Sequence, residues 1–301
     1  MVFPQTHKAN KIFRSFKQYM KIENQRNTTT FHAGLTKQMQ QEIKSCNVSK
    51  ISKEFSRNGI PTNFKGNKLI AWCCLKCLEI IKSLNQQYNL NLGLPKGICV
   101  EDFRKLKNGN VNAAGLCNVL PALLYKNSMI VVPEKTIFFN ANEDYNYPDG
   151  NYEWDKIDEH STILKIVGIA PNDFFLETFL HEFAHVIHEN HLLNILGNYE
   201  FAKRIMEITT PEYKQNFDRK YFNILYRNCC SYATTHAVEA VSCDLSNRII
   251  NNLDENNLTP HSNFVEKSPY RKYSLKETLL SPIKDEKYDR IIRRFWNGNL
   301  K

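Results

Sequence analysis

Residues 181–191 read HEFAHVIHENH, and this stretch holds four of the nine histidines in the chain. Its first five residues have the pattern His-Glu-x-x-His. On an α-helix, residues four positions apart lie on one face, about 6 Å apart along the axis. The imidazoles of His181 and His185 can therefore converge on one metal ion, with Glu182 beside that face.

The flanking sequence predicts that this pattern lies on a buried helix. Pro171-Asn172-Asp173 is typical of a helix start, because proline fits the first turn and acids favour the positive end of the helix dipole. Apolar residues then recur at steps of three and four, as in a helix that packs on a core: Phe174, Phe175, Phe179, Leu180, Phe183, Val186 and Ile187.

The spacing has a chemical reason. Two histidines hold zinc, a water binds as a further ligand and the intervening glutamate takes a proton from that water, which is why the pattern recurs in metallopeptidases. We therefore predict His181 and His185 as ligands of Zn²⁺ and Glu182 as the general base. The alternative is a non-catalytic binding protein that carries a degenerate site.

A catalytic zinc ion usually has a third protein ligand, and the sequence offers two candidates. His191 is placed as in metzincins, although His188 stands where their pattern has a helix-breaking glycine. Glu239 lies within an otherwise apolar helical segment, residues 232–244, where a lone carboxylate needs a partner such as a metal ion. The residues alone leave both open.

Residues 232–244 resemble the third-ligand helix of gluzincin peptidases. Tyr232 stands seven residues before Glu239, an arrangement similar to that of the anthrax lethal factor-like peptidases, which include the Pro-Pro endopeptidases. The resemblance covers about residues 67–250. Thermolysin-type peptidases have an aspartate four residues after the glutamate, whereas this chain has Cys243 there.

The resemblance implies a role for each candidate residue. It implies that His181, His185 and Glu239 bind zinc. It further implies that Glu182 is the general base and that the Tyr232 hydroxyl assists the tetrahedral intermediate or the leaving amine. The implied fold is zincin-like and mostly helical, with a small mixed sheet whose edge strand borders the active-site cleft.

The order of the predicted elements also indicates an α+β protein. A long helix and three strands are expected before the motif helix, and further helices after it: 68–88, then 98–103, 128–132 and 136–140, then 201–206, 211–226, 235–250 and 285–296. In zincins the substrate lies along an edge strand just before the active-site helix. Thr136–Asn140 is therefore the predicted edge strand.

The first 66 residues differ from the rest in composition. They carry twelve Lys or Arg against three Glu, which equals the net charge of +9 of the whole chain. We predict a basic N-terminal arm or small helical region over residues 1–66 and a zincin-like metallopeptidase domain over residues 67–301. No nucleic-acid-binding motif accompanies the basic charge, so we expect no nucleic-acid partner.

The composition is that of a globular protein with a core, at 42% hydrophobic residues. No apolar run approaches the length of a membrane span, and the start lacks a signal-peptide pattern, so we expect a cytoplasmic protein as synthesised, or one exported into a host cell without a cleaved signal. The Cys-x-x-Cys spacing of Cys74 and Cys77 lies within a predicted helix and is expected to reflect core thiols, which favours a reducing compartment.

These observations predict a zinc-dependent endopeptidase that cleaves a protein or peptide substrate, with a bacterial effector or toxin acting on host proteins as a fitting role. Residues 141–160 form an expected loop with seven acids and one Lys, which favours a basic substrate unless the loop binds the basic arm of the same chain. The competing functions are a metzincin-like peptidase with His191 as third ligand and a non-catalytic binding protein.

Overall fold

The computed structural model describes residues 34–106, 113–118, 122–124, 128–141, 151–166, 168–254, 257–260 and 286–300. Its helices are α1 (Lys37–Ser45), α2 (Val48–Arg57), α3 (Lys68–Tyr88), α4 (Trp154–Ile166), α5 (Glu177–Ile208), α6 (Pro211–Asn228), α7 (Ala237–Ile250) and α8 (Glu286–Trp296). Its strands are β1 (Thr62–Asn63), β2 (Gly97–Glu101), β3 (Gly115–Asn118), β4 (Ala122–Leu124), β5 (Met129–Val131) and β6 (Thr136–Asn140). Short 3₁₀ turns lie at Phe103–Lys105 and Tyr232–Thr234. The fold is α+β, as predicted.

Four of the strands form a small mixed sheet in the order β1-β2-β6-β3. β1, β2 and β6 run parallel to one another, and β3 pairs antiparallel with β6. β4 and β5 pair separately as an antiparallel ribbon. The predicted small mixed sheet is thus confirmed, and β3 is its edge strand on the side of β6.

The prediction that Thr136–Asn140 is the edge strand is wrong. This segment, β6, lies between β2 and β3, and all five of its side chains are buried. Its sequence, TIFFN, has no alternation of polar and apolar residues, which is the pattern of a strand covered on both faces. The bounds of the strand were correct, but its place in the sheet was not.

Helix α3 runs through the core with the bounds that its sequence predicts. It begins where the Asn67 side chain accepts a hydrogen bond from Ile70 N, and it ends at Asn89, which has the left-handed conformation. Trp72 stacks on Phe175 with ring centroids 6.1 Å apart. This contact joins α3 to the turn that precedes the motif helix.

Of the predicted arm, residues 1–33 lie outside the described residues. Residues 34–66 contain α1 and α2, each capped by a side-chain oxygen, from Thr36 and Asn47 respectively. Met39 and Phe55 from these helices are buried in the same core as α3. The division into an arm and a domain at residue 66 stays a prediction.

The motif helix α5 begins at Glu177 and not near Pro171, so the predicted start is wrong. The Asn172 side chain accepts a hydrogen bond from Phe174 N at 3.0 Å, a local turn that competes with helix formation. Glu177 then receives hydrogen bonds from Asn172 at 2.7 Å and from Ser246 of α7 at 2.8 Å. The helix extends to Ile208 and so includes residues 201–206, which were predicted as a separate helix, and Gly197 interrupts it with a φ of 73°.

The expected acidic loop is in part a helix. Residues 142–150 of that segment are not among those described, whereas residues 154–160 belong to α4, so the loop prediction is wrong there. Asp158 accepts a hydrogen bond from Leu35 N at 3.1 Å, and Lys44 Nζ lies 5.8 Å from the Trp154 ring centroid. This part of the segment therefore contacts residues 34–44 of the same chain.

A buried ion network ties α8 to α7. Arg248 donates to Asp244 at 2.6 Å, Tyr288 OH donates to the same carboxylate at 2.8 Å, and Arg248 lies 3.6 Å from Asp289. Removing one partner of such a buried pair would leave an uncompensated buried charge, which is strongly destabilising.

No helix in the described part of the chain is long and apolar enough to cross a membrane.

Candidate metal centre

Three predicted ligands converge between α5 and α7. His181 Nε2 lies 3.0 Å from His185 Nε2 and 3.0 Å from Glu239 Oε2, and His185 Nε2 lies 3.1 Å from the same oxygen. One donor atom from each residue falls within 4.8 Å of the others. The two histidines are one helical turn apart on α5, as their spacing predicts, and these three groups can hold a metal ion.

The first turn of α7 places Glu239. His236 caps this helix, and its Nδ1 accepts a hydrogen bond from Glu239 N at 3.3 Å. The α7 helix packs along α5 with mostly buried residues, so the Glu239 carboxylate points at the histidine pair, and its side chain is only 12% exposed. The apolar residues around Glu239 in the sequence therefore form the interface between α7 and α5.

Two further residues of α7 orient the histidines. Ser242 Oγ lies 2.9 Å from His185 Nδ1, and Cys243 Sγ lies 3.7 Å from His181 Nδ1. A partner at Nδ1 fixes the proton there and leaves Nε2 to bind a metal, a role that such outer partners commonly have. Sequence reasoning missed both roles. The available signal was that these residues stand three and four positions after Glu239, on the same helix face.

The electrostatics of the site are those of a cation position. Burial lowers the pKa of His185, but the charge of Glu239 and the hydrogen bond that its carboxylate accepts from His185 outweigh this and raise the pKa to about 9. Burial likewise opposes the raised pKa of His181, which the hydrogen bond with Glu239 causes. Burial would raise the pKa of Glu239, but the charge of His185 holds it well below its usual value. Positive charge is therefore stabilised where the three groups meet.

Glu182 lies beside the triad and is buried. Its Oε2 has no hydrogen-bond partner among the described residues, and burial raises its pKa. The edge strand β3 contacts the other side of the carboxylate, where the backbone N–H of Cys117 donates to it. A Cβ at Gly115 would come within 2.6 Å of Glu182 Oε1, so only glycine permits this close approach.

Tyr232 faces the same cavity, which has a volume of about 230 Å³. Its ring centroid lies 5.6 Å from that of His181, and its side chain is 44% exposed. The charge of Glu239, followed by burial, raises the pKa of Tyr232, so the hydroxyl keeps its proton. The cavity wall also includes small and apolar residues, namely Ala113, Ala114, Gly115, Leu164, Ile169, Ala170 and Pro171.

The other two histidines of the motif helix lie elsewhere. His188 and His191 stack on Trp296 of α8, with ring centroids 5.4 Å and 4.3 Å from it. His188 is fully buried, which lowers its pKa to about 3 and keeps it neutral. Since α5 runs on without a break at His188, His191 is not brought to the triad, and the geometry favours Glu239 over it as third ligand.

Comparisons with known proteins add no relative. No protein-family model matches the chain, no curated protein matches it, and no solved structure matches its fold. The interpretation of function therefore depends on the geometry of the site.

Proposed function

We propose that the protein is a zinc-dependent endopeptidase. The observation that carries this proposal is the convergence of His181, His185 and Glu239, with the buried Glu182 carboxylate directly beside them. Sites of this kind in zinc hydrolases combine three protein ligands with a carboxylate that handles protons. The predicted resemblance to the lethal factor-like gluzincins agrees with this set of residues.

The donor set suits zinc. Imidazole nitrogen and carboxylate oxygen bind Zn²⁺ at about 2.0–2.2 Å, so ligand atoms of one tetrahedral ion lie roughly 3.3 Å apart. The three donor pairs here are 3.0–3.1 Å apart and need only a small outward shift. His181, His185 and Glu239 would hold the zinc ion.

The residues of the chain then have separate tasks. Bound zinc supplies a Lewis acid that polarises the scissile carbonyl and lowers the pKa of a water towards 7. Glu182 accepts the proton of the attacking water and passes it to the departing amine. Tyr232 donates its hydroxyl hydrogen to the oxyanion that develops on the carbonyl, which requires the protonated tyrosine that its raised pKa favours.

The edge strand β3 suits an extended peptide. Ala114 O accepts from Asn140 N of β6 at 2.9 Å. Because backbone groups alternate in direction along a strand, the backbone groups of Gly115 and Cys117 point away from β6 and towards the site. The Cys117 N–H already donates to Glu182, so the N–H and C=O of Gly115 and the C=O of Cys117 remain for a substrate. A substrate strand that pairs there would have its carbonyl near Glu182. We therefore expect the substrate to lie along β3 and not along residues 136–140, where the sequence had placed it.

The cavity wall favours an apolar side chain next to the scissile bond, because Leu164, Ile169 and Pro171 line it. The basic substrate expected from residues 141–160 stays a prediction. So does the role of an effector or toxin that acts on host proteins. The preference of a cleavage-site profile for apolar or basic residues separates the two substrate classes.

The test of the proposed function uses a proteome-derived peptide library and the Glu182→Gln variant. The zinc-loaded wild type should cleave the library at internal bonds, and the variant should lose at least about 100-fold in rate while its zinc content stays unchanged, because it removes the base but no ligand. Glu189→Gln is the matched control, since Glu189 is an equally buried acid of the same helix outside the triad. Full activity in Glu182→Gln, or no cleavage by the zinc-loaded wild type, would contradict the proposal.

A further inference from the structure

A second group of ligands lies behind the candidate metal centre and is made of thiols. Cys229 and Cys230 follow α6, and Cys243 lies on α7. Cys229 Sγ and Cys230 Sγ are 4.0 Å apart, and the three sulfurs all lie within 4.8 Å of one another. All three cysteines are free, and Cys230 and Cys243 are each only 1% exposed. Three soft donors thus meet in the interior.

The spacing of the sulfurs suits a shared ion better than a disulfide. Zn–S bonds are about 2.3 Å long, so thiolates on one ion lie roughly 3.8–4.0 Å apart. A disulfide needs about 2.05 Å between sulfurs, which would require a much larger displacement. Abundance of cysteine does not explain the cluster, because the buried thiols of α3, Cys73, Cys74 and Cys77, form no comparable group in the described part of the chain.

The charge balance of this interior suits a cation. Three thiolates buried together are costly without a positive charge beside them. Arg248 of α7 already pairs with Asp244 at 2.6 Å and lies 3.6 Å from Asp289, so its charge is balanced by the ion network. A metal cation would take the place of the thiol protons and stabilise all three thiolates.

We propose that Cys229, Cys230 and Cys243 form a second metal site that binds one thiophilic cation of the Zn(II) or Cu(I) type through three thiolates. Thiolate ligands select such soft ions over Mg²⁺ or Ca²⁺. The site goes beyond the peptidase centre and does not depend on it.

The position of Cys243 links the two sites. Its sulfur lies 3.7 Å from His181 Nδ1. A metal-bound thiolate carries more negative charge than a thiol and is the better acceptor for the Nδ1 hydrogen, which favours Nε2 of His181 as a ligand. Occupation of the thiol site should therefore tighten metal binding at the histidines. This one consequence rests on the proposed function of the histidine site.

The test titrates the full chain, reduced and freed of metal under anaerobic conditions, with ¹¹³Cd(II) and follows it by ¹¹³Cd NMR. Cadmium is a thiophilic substitute for zinc, and its resonance moves downfield as thiolates join its coordination. The wild type should give a downfield, thiolate-rich resonance. This resonance should persist in His185→Ala, which disables the histidine site, and in Cys77→Ala, which removes an equally buried thiol elsewhere.

Cys230→Ala should abolish the downfield resonance. Cys229→Ser, at the less buried member of the cluster, provides a second variant should the first not fold. A wild type that lacks the downfield resonance, or a folded cluster variant that keeps it, would overturn the proposal. Loss of this resonance in His185→Ala would also overturn it, because the thiolate signal would then belong to the peptidase centre. Absence of peptide cleavage by itself does not contradict the thiolate site, because that site does not depend on the peptidase centre.

Discussion

At the scale of single residues, the four histidines of α5 lie in two different environments. His181 and His185 meet Glu239, whereas His188 and His191 stack on Trp296. The spacing within HExxH was enough to predict the first pair. The second pair could not be predicted from local sequence, because its partner lies on α8, more than 100 residues later in the chain.

The choice of third ligand gives the first residue-scale prediction. Glu239→Ala should lower zinc affinity by at least about tenfold, since it removes a direct ligand and leaves two. His191→Ala should retain zinc, because this residue packs on Trp296 away from the triad. Metal content after dialysis against a zinc buffer measures both. The reverse result, with zinc lost only in His191→Ala, would favour the metzincin-like site.

The second residue-scale prediction concerns Tyr232. Tyr232→Phe should reduce kcat about tenfold to a thousandfold, as expected for one donor to an oxyanion, with zinc content and fold unchanged. Steady-state kinetics on a cleaved library peptide provide the measurement. Phe222→Leu is a suitable control, because Phe222 is a similarly exposed aromatic residue on α6 outside the cavity. An unchanged kcat in Tyr232→Phe would leave the hydroxyl no part in the reaction.

At the scale of elements, local patterns predicted helices better than sheet order. The bounds of α3 follow from a continuous helical periodicity between two asparagine caps. The bounds of β6 follow from its apolar run, but its neighbours depend on pairing with β3, whose sequence Gly115–Asn118 carries no strand signal. The late start of α5 depends on a turn at Asn172, a side-chain hydrogen bond that composition does not reveal.

The contact between β3 and α5 yields a prediction about Gly115. A methyl group there would meet the Glu182 carboxylate at 2.6 Å, so Gly115→Ala should displace this proposed general base. We expect at least about a tenfold loss in kcat with normal zinc content, because a small misplacement of a reacting group is costly. Gly66→Ala makes a control for glycine loss, since a Cβ there meets nothing within 4 Å, although its φ of 80° adds strain. Wild-type activity in Gly115→Ala would show that the contact between β3 and Glu182 does not matter for the reaction.

At the scale of the whole molecule, the triad joins two helices whose facing residues are mostly buried. His181 and His185 belong to α5, Glu239 belongs to α7, and the ion network of Arg248 ties α8 to the same α7. The thiol cluster connects the end of α6 to α7 as well. Helix α7 is thus the element through which the ligands and the C-terminal helix are held together, an arrangement visible only after long-range packing is known.

This arrangement predicts that metal stabilises the fold. A ligand that binds only the folded state at a concentration 1,000 times its Kd adds about 4 kcal/mol, or roughly 5–10 °C in Tm for a chain of this size. Thermal unfolding of the wild type with zinc and with a chelator measures the shift. His185→Ala should lose most of it, so that any remaining shift reports the thiol site. An equal shift in wild type and His185→Ala would mean that zinc does not bind at the triad.

The central claim is that one zinc ion is held by two histidines of α5 and one glutamate of α7. Crystals of the zinc-loaded chain, measured on both sides of the zinc absorption edge, test it most directly. We predict an anomalous peak within about 2.0–2.2 Å of His181 Nε2, His185 Nε2 and a carboxylate oxygen of Glu239, with the Glu182 carboxylate outside bonding distance. An empty triad, or a peak bonded to His191 in place of Glu239, would contradict it.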